Sequence, residues 1–116
     1  SSGEFAHKGS FYNILGTNSP TQEQLNLYSI ELVADENAVP AFIWHTYSDT
    51  AVPVENALFM ASALRRAKVP FELHIFHEGP HGLSLSTEET AVGRPTHLNM
   101  HAANWLKLAI EWILTL

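Results

Sequence analysis

The sequence predicts a layered α/β fold with parallel strands, and three observations carry that reading. Strand-like apolar runs at about 41–46 and 71–77 alternate with amphipathic helical stripes at about 53–67 and 98–115. The stretch between the two strands is long enough to hold a crossover helix, which implies parallel pairing and a right-handed connection. Two acid–base residues, Asp49 and His81, then follow the strands, where open parallel sheets gather functional groups beyond the carboxyl ends.

Residues 1–39 read as a helical region of less regular pattern. Ser19-Pro20-Thr21-Gln22 suggests an N-cap, a proline at the first helical position and a capping-box glutamine, opening a helix through about Tyr28. After Pro40, Ala41-Phe42-Ile43-Trp44 is a continuous apolar run, the pattern of a strand covered on both faces. From Pro53 the spacing turns helical, with Val54, Ala57, Leu58, Ala61 and Leu64 on one face. Arg65, Arg66 and Lys68 stand near its C-terminus, where cations complement the helix dipole.

Pro70 bars continuation of that helix. Phe71, Leu73 and Ile75 then alternate with polar neighbours, as on a strand nearer a sheet edge. A long loop leads to a last helix with Leu98, Ala102, Trp105, Leu108, Ala109, Trp112 and Ile113 on one stripe. Two strands are too few to bury the 41–44 run on both faces, since sheets commonly have about four to six. Further strands are therefore expected from outside these residues.

Composition narrows the function classes. The chain has 116 residues, 46% hydrophobic, with 6 Lys+Arg against 12 Asp+Glu, a net charge of −6. No basic footprint exists for nucleic acid or an anionic membrane, so neither is expected as a partner. No stretch reaches the roughly 18 apolar residues of a membrane span, and Ser1-Ser2-Gly3-Glu4 does not resemble a signal peptide. The absence of cysteine excludes disulfides, thiolate metal sites and cysteine nucleophiles, while leaving the compartment open.

Asp49 lies in the loop His45 to Pro53, and His81 in Glu78-Gly79-Pro80-His81-Gly82. Neighbouring parallel strands run about 4.8 Å apart, so loops leaving one sheet end can bring a carboxylate to an imidazole. Asp49 would fix the tautomer of His81 and stabilise its imidazolium, and His81 would act as general base and then general acid. The glycines around His81 let the loop turn sharply. Taken singly, Asp49 reads as a turn residue capping the following helix, and His81 as an ordinary loop histidine. Their spacing around the second strand favours the paired reading.

Asp49-x-x-Val52-Pro53, then Leu64-x-x-Ala67-x-Val69-Pro70-x-Glu72, then Gly79-x-His81-Gly82 resembles the C-terminal third of α/β-hydrolases. The group concerned is that of carboxylesterases, acetyl-xylan-esterase-like and dienelactone-hydrolase-like enzymes, and the resemblance covers about residues 40–115. It implies that the chain is the C-terminal part of one α/β-hydrolase domain, with Asp49 and His81 as the acid and histidine of a Ser-Asp-His triad. Ser2-Gly3-Glu4-Phe5 through His7-x-Gly9-Ser10 resembles the segment before the acid, so that residues 1–39 would contribute a lid or substrate wall.

The departure from that family is the nucleophile. No Gly-x-Ser-x-Gly elbow occurs here, and family order places the serine upstream of Ser1. The resemblance thus implies a short-chain acyl or acetyl ester as substrate, an acylated carbohydrate among the candidates. It also implies a missing N-terminal portion as the partner that brings the serine, with no cofactor. A prolyl-oligopeptidase-like serine peptidase and a non-catalytic fragment are the alternatives.

Other features read as structure. His74-x-x-His77-x-x-x-His81 is dense, yet residues 74 and 77 of a strand point to opposite faces, so no metal site is expected. The remaining histidines, His7, His45, His97 and His101, are likewise not read as metal ligands. Trp105 and Trp112 are seven apart on a helical stripe and read as core, and Glu88-Glu89 as solvated. The loop from Leu83 to Thr96 is long enough to border a substrate pocket.

Overall fold

Two prolines set the register of the sheet. Each ends a connection and starts a strand, Pro40 before β1 (Ala41–Thr46) and Pro70 before β2 (Phe71–Phe76), in a computed structural model describing residues 4–116. The amide of Ala41 donates to the Pro70 carbonyl at 3.1 Å, and the strands then pair in parallel from Ala41 opposite Phe71 to Thr46 opposite Phe76. Tyr47 N–H closes the ladder on Phe76 O at 2.8 Å. Both strands therefore end level, and the loops that carry Asp49 and His81 leave the sheet side by side.

The order of elements is α1 (Lys8–Leu15), α2 (Gln22–Leu27), α3 (Ile30–Val33), β1, α4 (Glu55–Arg66), β2, α5 (Glu88–Ala91) and α6 (Trp105–Ile113). Ala41 lines a cavity with Met60 and Leu64 of α4, which puts α4 on that face of the sheet. Ala57, Ala61, Ala63 and Leu64 are its buried residues, and Leu64, at 1% exposure, would cost about 2–5 kcal/mol on truncation to alanine. The alternate residues of β1 meet α6. Trp44 stacks on Trp105 with centroids 5.1 Å apart, and Phe42 meets Trp112 at 5.9 Å. Phe76, Leu83 and Ala102 form the buried cluster beneath Trp44 and Trp105.

This is part of an α/β-hydrolase fold: a parallel strand–helix–strand–helix unit with two strands among the described residues. With so small a sheet, Ala41 to Trp44 stay only half-buried, and large apolar side chains remain exposed on α3 and α6, among them Leu32 and Ile110. Ser2 and Gly3 of the opening resemblance lie outside the described residues.

Several boundaries differ from the sequence reading for local reasons. The second helix starts at Gln22, with Thr21 as N-cap instead of Ser19; Thr21 and Gln24 close the reciprocal capping box at 3.2 and 2.9 Å. It ends at Leu27, one residue before Tyr28. The crossover helix spans 55–66, within the expected 53–67, and the second strand stops at Phe76 rather than residue 77. On that strand Phe76 is buried while Ile75 is 40% exposed, because Phe76 sits in the cluster packed against Trp105 and Leu108 of α6.

The expected helix over 98–115 is α helix only from Trp105 to Ile113, preceded by 3₁₀ turns at Pro95–His97 and Ala102–Asn104. Asn99 interrupts it. Its Oδ1 accepts from the amides of His101 and Ala102 at 3.1 and 3.0 Å, and its Nδ2 donates to Glu78 O at 2.7 Å. Leu98 is consequently exposed rather than on the buried stripe, as is Ile113 at the far end. The Leu83–Thr96 loop is not irregular throughout, since Thr87 caps the short helix α5.

Candidate active site

The turn after β1 uses Asp49 twice. Its Oδ1 accepts from the backbone amides of Ala51 and Val52, both at 2.9 Å, closing the turn that leads into α4. Its Oδ2 accepts from His81 Nδ1 at 2.8 Å. Oδ1 thus closes a loop turn rather than capping α4, whose N-cap is Val54 with no side-chain cap, and Oδ2 makes the pairing. The Asp49 side chain is 6% exposed and that of His81 58%.

Burial pushes the Asp49 carboxyl up, but the amide of Val52, the His81 bond and the amide of Ala51 together outweigh it and hold the carboxyl below its ordinary value of 3.8. Asp49 is therefore an anion at neutral pH. An anionic partner makes Nδ1 the donor, so the neutral ring carries its lone pair on Nε2, the nitrogen able to take a proton. Nε2 has no hydrogen-bond partner among the described residues. The pair lines a 190 Å³ cleft with Trp44, Val52, Leu83 and Ser84. The loop after His81 does border this cleft, through Leu83 and Ser84.

The histidine loop is held to the acid loop by backbone contacts that sequence reasoning missed. Thr46 Oγ1 donates to Gly79 O at 2.7 Å, Ser48 Oγ donates to the same carbonyl at 3.2 Å, and Gly79 N–H donates to Ser48 Oγ at 2.9 Å. Gly79 has φ +152°, and a Cβ there would stand 2.8 Å from Thr46 Cγ2 and would collide with Leu83. Only glycine fits. A glycine two residues before the histidine was visible in the sequence, but nothing there linked it to Thr46 or Ser48.

The other histidines serve separate surroundings. His74 Nε2 bonds Glu72 Oε1 at 2.7 Å, His77 stacks on Tyr47 at 6.0 Å, and His97 is buried. Among the described residues no three of His, Asp and Glu converge as metal ligands.

Residues 10–107 match the family model of the prolyl oligopeptidase family. The chain belongs to that family. Its relatives and structural neighbours are named as hydrolases. Over 87 residues it is 42% identical to endo-1,4-beta-xylanase B of Butyrivibrio fibrisolvens, covering 75% of this chain and 14% of that protein. The structure of an acetyl ester-xyloside bifunctional hydrolase from Caldicellulosiruptor lactoaceticus superimposes with TM-score 0.84 at 37% identity, over 99% of this chain and 38% of the other. A carboxylesterase from Lactobacillus plantarum does so with TM-score 0.70 at 34% identity, over 73% and 31%.

These likenesses bear out the resemblance to α/β-hydrolases. The chain spans well under half the length of each of these three relatives.

Proposed function

We propose that the protein containing this chain is a serine ester hydrolase, with Asp49 and His81 as two members of its triad and the nucleophilic serine upstream of Ser1. Residues 1–116 are read as the C-terminal portion of a single α/β-hydrolase domain, residues 1–39 forming a lid or substrate wall. The observation that carries this reading is the 2.8 Å bond from His81 Nδ1 to a doubly amide-bonded Asp49, with Nε2 left for proton transfer. His81 would take the serine proton through Nε2 as the hydroxyl attacks the ester carbonyl, then return it to the departing alcohol. Water would hydrolyse the acyl-enzyme by the same route. Asp49 would stabilise the imidazolium in both halves.

An acetyl group on a carbohydrate is the proposed substrate class, supported by the names of two relatives, one an acetyl ester-xyloside hydrolase and the other a xylanase. The family match favours one competing reading, a prolyl-oligopeptidase-like peptidase. The deciding experiment uses the full-length protein. A serine-directed fluorophosphonate should add to a serine outside residues 1–116 and abolish release of acetate from acetylated xylo-oligosaccharide. Release of product from a prolyl peptide anilide without acetate release would replace the esterase reading with the peptidase one. Failure to label and to turn over either substrate would leave a non-catalytic protein.

A further inference from the structure

His81 is pinned at one nitrogen, more than half exposed, and carried on a loop with glycines at positive φ on both sides, Gly79 and Gly82. A single hydrogen bond fixes one edge of an imidazole and leaves the ring plane free to rock about it. The structure supplies a second constraint on the face of the ring. His7, from the opening segment, lies nearly parallel to His81, with centroids 6.5 Å apart and 18° between planes, within the range of offset aromatic pairs.

His7 is itself fixed. It is the N-cap of α1: its Nδ1 accepts the Ser10 amide at 3.3 Å and lies 2.8 Å from Ser10 Oγ. An acceptor at Nδ1 puts the ring proton of neutral His7 on Nε2. A Cβ at Gly9 would stand 3.3 Å from His7 Cε1. Glycine within a helix is costly, and here its bareness gives the His7 ring room. The segment is also tied to the acid side of the site. Asn56 Nδ2 donates to Phe5 O at 2.8 Å and to Pro53 O at 3.0 Å, while Phe5 packs on Phe59 of α4 at 5.7 Å.

We infer that His7 is a positioning residue for His81: its ring face and the Asp49 carboxylate together hold the imidazole in the plane from which Nε2 meets the serine. This rests on the ester-hydrolase reading. It extends that reading by giving the opening helical segment a part in the catalytic step rather than only in enclosing substrate.

Two substitutions in the full-length enzyme separate the ring from the cap. His7→Asn keeps a good N-cap and removes the stack, whereas His7→Phe keeps a stacking ring and removes the cap. H7N should lower kcat about two- to tenfold with little change in KM, the range a lost aromatic pair supports, and H7F should restore most of the rate. NMR of the His81 ring protons gives a readout independent of turnover. Their ring-current shifts should change in H7N and persist in H7F.

The opposite order, H7F impaired and H7N not, would make His7 a structural cap and overturn the inference. So would unaltered turnover and shifts in both variants. Wild-type enzyme without ester hydrolysis would sink the reading on which the inference rests, whereas active wild type with an unaltered H7N would sink the inference alone.

Discussion

The two loops that meet in the site are built in contrasting ways. The acid loop is held by its own residues: Asp49 closes it through the amides of Ala51 and Val52, next door in sequence, and its side chain is almost wholly buried. The histidine loop is held from a distance. Gly79 leans on Thr46 and Ser48, more than thirty residues earlier, Glu78 O takes a bond from Asn99, and His81 stays open to solvent. A buried, locally braced acid is a fixed reference. An exposed imidazole set against it can move a proton without moving its partner.

If that division of labour holds, losing the proton-carrying member should cost most. In the full-length protein, His81→Ala should lower kcat on the order of 10⁴- to 10⁶-fold, and Asp49→Asn on the order of 10⁴-fold, since a carboxamide no longer fixes the tautomer or faces the imidazolium with a charge. Steady-state hydrolysis of an acetyl ester measures both. Equal and small losses would break the comparison, because neither loop would then carry the chemistry.

The distant bracing is tested at its tightest point. Gly79→Ala adds a methyl against Thr46 and Leu83 at a φ that side chains rarely adopt, and should destabilise by about 2–4 kcal/mol. Urea denaturation of the full-length protein would show it as a lowered midpoint. Ser48→Ala removes only the hydroxyl that both donates to and accepts from Gly79, and should cost about 1 kcal/mol in the same measurement. An S48A loss as large as that of G79A would mean that the serine, not the glycine contact, sets the loop.

The same contrast explains what the sequence reveals and what it hides. The strands, the crossover helix and the Asp49–His81 pair are legible because each rests on a local pattern: a proline before an apolar run, a 3.6-residue stripe, a glycine-flanked histidine. What is hidden depends on side chains that reach across the chain. Asn99 delays the start of the expected 98–115 helix by taking the His101 and Ala102 amides while bonding Glu78, Thr46 and Ser48 hold Gly79, and His7 reaches His81 from the far end of the sequence. The shift from Ser19 to Thr21 as helix cap is a closer case. Both residues are good caps, and Gln24 selects Thr21 by returning its side chain to the Thr21 amide.

The smallest effect concerns the charge on the fixed member. The amides of Val52 and Ala51 and the imidazole of His81 prefer the carboxylate, and against the penalty of burial they keep the Asp49 carboxyl below 3.8. A carboxyl lowered on folding stabilises the folded state at pH values above its unfolded value, and that contribution is lost as pH falls through the lower folded value. The carboxamide of the D49N variant cannot titrate, so the wild-type advantage in urea midpoint should be present at pH 5 and shrink on acidification below about pH 3.8. An advantage that grew on acidification would mean that burial outweighs the amides and that Asp49 is held protonated, which would remove the fixed anion from the acid loop.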